Sequence, residues 1–198
     1  MNNGKLTSIL KEFEQFDGMI LVGILILLLI AIVLFAPFRR KIEKRNRTLK
    51  ECLDDLEPEY KITNNIVVPS PNGMSRINCV IVSPYGIFVI DIHNEPGRIT
   101  GSIDSREWQV VHGRNKRTIY NPVWRGRTHR NAMEELLGDQ FLISLVVFQQ
   151  GKLKSDFGNN VVEMPGMCET IRGYKNIVLT REQQNKALTV VEKKARVE

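Results

Sequence analysis

The chain has 198 residues, a formal net charge of +6 at pH 7, 42% hydrophobic residues and 25% charged residues. The length suits one globular domain with an appendage, and the composition excludes a disordered chain and a coiled-coil rod. Three cysteines, an odd number spread along the chain, exclude a disulfide framework and fit a reducing compartment. The basic balance favours an acidic partner, either a phosphate backbone or anionic lipid.

An unbroken apolar run occupies residues 19–35 and reaches residue 38 if the next three residues are counted. At about 1.5 Å per residue this run is long enough to span a hydrocarbon layer of roughly 30 Å. Basic residues crowd positions 39–47, so the positive-inside rule places the N-terminus outside and the rest in the cytoplasm. The acidic start and the basic exit argue against a cleaved signal peptide. We therefore expect a single-pass protein of the cell membrane.

In this interpretation residues 1–18 form a short extracytoplasmic stub and residues 19–38 form the transmembrane helix. The stub has apolar residues at helical spacing, which suits either an interfacial helix or an extension of the membrane helix. A basic juxtamembrane helix is expected over 39–58, where Pro58 ends it. The cytoplasmic domain then occupies residues 59–198.

The first part of that domain reads as a series of strands separated by turn residues. Alternating or β-branched runs predict strands at 60–68, 76–82, 86–91, 98–103, 108–111 and 118–120. The second and third runs are joined by Ser-Pro-Tyr-Gly, which predicts a hairpin. A polar turn is expected at 112–117.

The second part begins with Asn121 and Pro122, which predict the N-cap and first residue of a helix that runs to residue 137. Residues 141–148 are nearly continuously apolar, which is typical of a central strand buried on both faces. A short strand is expected at 176–179, followed by a helix that Thr180 and Gln183 begin as a capping box. This order of elements predicts an α/β sandwich.

The positive charge is concentrated in residues 98–130, over a polar turn and the start of the following helix. Arginines at such places suit phosphate binding. Two other interpretations remain open: a surface facing anionic lipid, and a basic surface without a partner. Trp124, beside two arginines, is the better aromatic candidate for a nucleic-acid contact, whereas Trp108 fits a core position.

The stretch RINCVIVSPYGIFVIDIHNEPGRITGS at 76–102, then Trp108 and NPVWRGRTH at 121–129, resembles the nuclease-related domain (NERD) family. That family is related to the PD-(D/E)xK nucleases, and the resemblance covers about residues 43–150. It implies a three-layer αβββαβ restriction-endonuclease-like core. It also implies phosphodiester cleavage with Mg²⁺ or Mn²⁺, in which carboxylates hold the metal and a lysine two residues beyond the second carboxylate shares its face of the strand.

The chain departs from the family pattern at the positions that carry this chemistry. Asn78 stands where the family has its first aspartate, and His93 stands where it has the lysine. Asp91 preserves the second acid and is the candidate metal ligand. The glutamate of the first helix is best matched by Glu43 and next by Glu51.

The helix motif is preserved only in part. Its Asn121, Pro122 and His129 match the family, but its glutamine and asparagine are replaced by Arg125 and Gly126. The expected function is therefore nucleic-acid association at the membrane, with DNA or RNA, and weak or no cleavage. The candidate nucleic-acid-binding residues are Arg114, Lys116, Arg117, Trp124, Arg125, Arg127, His129 and Arg130.

Two alternatives to this function remain open. One is a Mg²⁺- or Mn²⁺-dependent nuclease in which Asn78, His93 and Glu43 assist Asp91. The other is a structural adaptor in a membrane complex, in which the arginines contact a protein partner or the lipid bilayer. Nucleic-acid binding should weaken steeply with salt, whereas apolar protein contacts should not.

Overall fold

The computed structural model describes residues 49–54, 56, 58–70, 73–138 and 140–195. The expected stub, the expected transmembrane helix and Glu43 lie outside these residues, as does most of the expected basic helix at 39–58. Within the described ranges, no helix is both long enough and apolar enough to cross a membrane.

The described residues form a mixed α/β structure with two sheets. A 3-10 turn, Met164–Gly166, precedes the third helix. The helices and strands follow in the order α1 (Leu49–Asp54), β1 (Lys61–Ser70), β2 (Gly73–Ser83), β3 (Gly86–His93), β4 (Gly97–Thr100), β5 (Glu107–His112), β6 (Asn115–Tyr120), α2 (Pro122–Leu137), β7 (Leu142–Phe148), β8 (Gly151–Leu153), β9 (Val161–Glu163), α3 (Met167–Arg172) and α4 (Arg181–Glu192).

The larger sheet has the strand order β1-β2-β3-β7-β9. Strands β1, β2 and β3 are antiparallel neighbours, and the predicted hairpin is confirmed because Ser83 pairs with Gly86 at its tip. Strand β7 lies parallel to β3 on one side and to β9 on the other. The near-continuous apolar run therefore forms a central strand, as expected.

Helices cover both faces of this sheet. On one face, Phe88 and Ile90 belong to the same buried cluster as Met167 and Ile171 of α3. On the other face, Val89 belongs to a buried cluster with residues of α2 and α4. Apolar side chains on both faces of β3 are buried away from water, and this burial stabilises a three-layer arrangement.

The smaller sheet has the order β6-β5-β4-β8. The strands expected at 98–103, 108–111 and 118–120 thus form a meander outside the larger sheet. Trp108 joins the two sheets, because it is fully buried in a cluster with Phe148 of β7 and Phe157. Its indole N–H donates to the carbonyl oxygen of Ser102 at 2.7 Å, so its core position is confirmed.

Two expectations about the C-terminal part are wrong. Residues 176–179 form no strand; instead the N–H groups of Val178 and Leu179 both donate to the carbonyl oxygen of Pro84, at 2.9 and 3.0 Å. Cys168 is disulfide-bonded, which differs from the expected set of reduced thiols. The following helix begins as predicted, with the capping box of Thr180 and Gln183 present.

Candidate active site

Strand β3 supplies the two central side chains of the site. Asp91 and His93 are two residues apart, so they face the same side of the strand. The Asp91 side chain is 1% exposed, and its Oδ2 lies 2.9 Å from Nε2 of His93. The ring of His93 also packs on Phe148, with 5.3 Å between the ring centroids. The structure thus brings together Asp91 and His93, two of the candidate catalytic residues of the sequence analysis.

Helix α2 is fixed at its first turn by a buried asparagine. The Oδ1 of Asn121 accepts from the backbone N–H of Val123 at 2.9 Å, and its Nδ2 donates to the carbonyl oxygens of Ile103 and Ser105. Pro122 occupies the first helical position, where its missing N–H costs nothing. The predicted helix start is confirmed, and it sets the direction in which the next turn presents Arg125.

Arg125 donates two hydrogen bonds to the carboxylate of Asp91. Its Nε donates to Oδ2 at 2.8 Å, and its Nη2 donates to Oδ1 at 2.5 Å. Gly126 helps α2 approach the sheet, because a Cβ at this position would lie 2.6 Å from Oγ of Ser144 on β7. This bidentate pairing places a permanent positive charge beside Asp91, the acid of the family pattern that this chain retains.

The pairing outweighs the effect of burial on Asp91. Burial alone would raise the pKa of this carboxyl, but hydrogen bonds from His93 and Arg125 and their charges lower the pKa from 3.8 to about 2. In turn, the hydrogen bond to Asp91 raises the pKa of Arg125. Asp91 is therefore ionised at neutral pH, and its charge is balanced inside the protein.

His129 lies one helical turn beyond Arg125 and is 6% exposed. Its Nδ1 is 3.1 Å from Oγ of Ser75 on β2, and its Nε2 is 3.8 Å from Oδ1 of Asp91. Nε2 has no hydrogen-bond partner among the described residues. Burial lowers the pKa of His129, which favours a neutral ring at pH 7. The structure thus places His129 next to Asp91 on the buried side of α2, although the sequence analysis lists it as a candidate nucleic-acid contact.

Asn78 is engaged by the backbone of the neighbouring strand. Its Oδ1 accepts the N–H of Ile92 at 2.9 Å, so this oxygen already serves to hold β2 against β3. Cys79, the next residue, is a free thiol buried in the core, and burial raises its pKa to about 12. Neither residue adds a negative charge beside Asp91.

The described residues do not fit a divalent metal. Mg²⁺ and Mn²⁺ favour hard oxygen ligands, and Mg²⁺ is usually bound through one or two carboxylates together with water and substrate phosphate oxygens. Both oxygens of Asp91 are held by Arg125, and no group of three or more His, Cys, Asp or Glu residues able to hold a metal occurs in the described ranges. Glu51 is exposed on α1, and Glu43 lies outside the described residues.

The remaining candidate residues lie in three separate places. Arg114, Lys116 and Arg117 are exposed on the β5–β6 hairpin, where Arg117 forms an ion pair with Glu95. Trp124 is half-buried, and its ring meets that of Tyr120 edge-on at 5.7 Å. The third place holds Arg127 and Arg130, which line a cavity on the opposite flank of α2 from Arg125.

Sequence reasoning missed Ser75, Glu95 and the role of Arg125. The sequence pattern identifies Arg125 only as a departure from the motif and as a candidate nucleic-acid contact. Its pairing with Asp91 was readable in principle, because a cation replaces a neutral glutamine in the helix that packs over the second acid. Ser75 and Glu95 carry no local signal, since their partners are distant in sequence.

Comparison with known proteins identifies a related family. A family model described as nuclease-related domain matches residues 40–149. An uncharacterized protein of Bacillus anthracis is 27% identical over 137 residues, which cover 63% of this chain and 65% of the relative's length. No solved structure matches the chain.

Proposed function

The chain belongs to the nuclease-related domain family, and from this premise we propose that it binds nucleic acid at the membrane with weak or no phosphodiester cleavage. The observation that carries the proposal is the pairing of Arg125 with both carboxylate oxygens of Asp91. The guanidinium group of Arg125 already binds both oxygens of the carboxylate that a metal ion would need as a ligand.

With β4, β5 and β6 set apart in the smaller sheet, the remaining elements follow the order α1-β1-β2-β3-α2-β7, which supports a restriction-endonuclease-like core. In such a core the site between β2, β3 and α2 would polarise a phosphodiester and acidify a water through metal ions. Here Asn78 contributes no charge and Asp91 is neutralised by Arg125. Removal of one carboxylate and neutralisation of the other both weaken metal affinity.

Nucleic-acid association is supported by basic side chains outside this site. Arg114 and Lys116 are exposed at the end of the β5–β6 hairpin, where their positive charges are accessible to a phosphate backbone. The expected membrane span at 19–38 and the cytoplasmic location of the domain complete the proposal. Both rest on the sequence pattern of residues 1–47.

The decisive experiment restores the family's residues. We would prepare the full chain in detergent micelles as wild type and as the triple variant N78D/H93K/R125Q, and incubate each with plasmid DNA and single-stranded RNA in Mg²⁺ and in Mn²⁺. We expect salt-sensitive binding without cleavage by the wild type, and metal-dependent cleavage by the triple variant. Adding D91A to the triple variant should abolish that cleavage.

Two results would contradict the proposal. Metal-dependent cleavage by the wild type that disappears in D91A would establish an active nuclease despite the altered residues. Absence of salt-sensitive binding to either nucleic acid would remove the binding function and favour an adaptor role.

A further inference from the structure

A cavity of about 510 Å³ lies between α2, the start of β7 and the segment that precedes β9. Its volume falls within the range of pockets that bind small molecules. On α2 it faces Arg127 and Arg130, which are about 200° and 140° around the helix from Arg125 at 100° per residue. Asp91, Arg125 and His129 are not among the described residues that line the cavity, although Val146, the neighbour of Asp91 on β7, is one of them. Neither the family match nor the proposed function assigns the cavity a role.

The lining combines positive charge with aromatic surface. Arg127 and Arg130 are both exposed and line one wall of the cavity. Phe141 and Tyr174 line another part of the cavity. Among the described lining residues none is acidic. Guanidinium groups bind phosphate through paired N–H donors, and aromatic rings stack on bases.

The wall of the cavity opposite α2 is held in place by contacts of its own. The phenol of Tyr174 donates to Oδ1 of Asn160 at 3.2 Å, and its ring meets that of Phe88 edge-on at 5.3 Å. The carbonyl oxygen of Asn160 accepts from the N–H of Val146 on β7 at 2.8 Å. These contacts hold Tyr174 and Asn160 in place before any ligand binds, which reduces the entropy lost on binding.

Polar groups in the lining would distinguish one base from another. Asn159, Asn160 and Ser144 line the cavity and carry both donors and acceptors. We propose that this cavity binds a nucleoside phosphate, with the phosphate at Arg127 and Arg130 and the base beside Phe141 and Tyr174. The same chemistry is offered by a free mononucleotide and by the phosphorylated end of a strand.

The test measures binding of AMP, adenosine and inorganic phosphate to the full chain in detergent micelles by titration calorimetry. We expect AMP to bind more tightly than adenosine or phosphate. The variant R127A/R130A should lose at least tenfold in AMP affinity, whereas R127K/R130K should retain part of it. F141A should weaken AMP binding and leave phosphate binding unchanged.

The matched control is R181A/K186A, which removes two exposed positive charges from α4, away from the cavity. It should leave AMP affinity within twofold of the wild type. R114A/K116A should do the same, so that failure of the pocket is distinguishable from failure of nucleic-acid binding at the hairpin. Circular dichroism would verify that each variant is folded.

Paired oligonucleotides distinguish the two sources of ligand. Tighter binding of a 5′-phosphorylated strand than of its 5′-hydroxyl counterpart, lost in R127A/R130A, assigns the pocket to strand ends. Equal binding of the two strands, with AMP still bound, assigns it to a free nucleotide. No AMP binding by the wild type, or AMP binding unaffected by R127A/R130A, would overturn the proposal.

Discussion

Asp91 is a carboxylate buried in the central strand of the larger sheet, and such a charge is costly unless it is paired. Arg125 and His93 supply three hydrogen-bonding contacts to its two oxygens. The Arg125 side chain is half exposed, whereas that of Asp91 is buried, so removing Arg125 would leave an uncompensated buried charge. The consequence is measurable as a dependence of stability on pH.

Asp91 should stabilise the folded state above about pH 4 and lose this effect as the pH falls toward 2. Its folded-state pKa is about 2 against 3.8 for the free group, so the unfolded chain binds the proton first. The shift corresponds to about 2 kcal/mol at neutral pH. Urea unfolding of the full chain, followed by tryptophan fluorescence at pH 5 and pH 3, should show a larger loss for the wild type than for D91N. Equal losses would contradict this assignment.

At the level of elements, the smaller sheet depends on a close approach between two strands. Gly97 begins β4 with φ at +118°, and a Cβ there would collide with the carbonyl oxygen of Val111 on β5. Gly113, in the β5–β6 turn, also has a positive φ, at +59°, but nothing lies within 4 Å of its virtual Cβ. The two glycines share a conformational need and differ in their surroundings.

This difference predicts unequal costs for the same substitution. Gly97→Ala should lower the free energy of unfolding by about 3 kcal/mol, because it adds a backbone collision to the cost of an unfavourable φ. Gly113→Ala should lower it by about 1 kcal/mol, since only the backbone conformation is affected. Parallel urea titrations of the two variants measure the difference. If Gly113→Ala cost as much as Gly97→Ala, close strand contact would not be the reason.

At the level of the whole molecule, the positive charge lies on several surfaces. The β5–β6 hairpin ends at the edge of the smaller sheet, since among the described strands β6 pairs with β5 alone. Arg114 and Lys116 are exposed there, whereas Arg117 is engaged by Glu95 and Arg125 by Asp91. The charges available for a phosphate backbone are therefore fewer than the sequence suggests.

R114A/K116A should reduce the salt dependence of duplex DNA binding. Each lost phosphate contact lowers the slope of log K against log salt by about 0.9, so the slope should fall by about 2. Fluorescence anisotropy between 50 and 200 mM salt would measure it, with R181A/K186A as the charge-matched control. An unchanged slope would place the nucleic-acid contact elsewhere.

Most of the fold could be predicted where the sequence carries local signals. The Asn-Pro helix start, the capping box at Thr180 and the continuous apolar run of β7 are each encoded by a few adjacent residues. The prediction of a strand at 176–179 was wrong. Ile177 and Val178 are exposed, and the N–H groups of Val178 and Leu179 donate to the carbonyl oxygen of Pro84 and not to a neighbouring strand. Division of the strands into two sheets depends on long-range packing around Trp108, which short motifs do not report.

Prediction of the candidate site from the sequence is limited in the same way, because local signals do not report long-range contacts. Asp91 and His93 could be placed together from their spacing on one strand. The pairing of Asp91 with Arg125 depends on how α2 crosses β3, and the contact of His129 with Ser75 joins residues 54 positions apart. Such contacts arise only when the tertiary structure is complete.

The parts of the chain beyond the family match complete both sides of the larger sheet. The match ends at residue 149, yet Met167 and Ile171 fill the core on one face, and Ala187 and Val191 fill it on the other. The family match and the packed core therefore have different boundaries. A fragment cut at the end of the match would expose apolar surface on both faces of its sheet, so a stable fragment has to include α3 and α4.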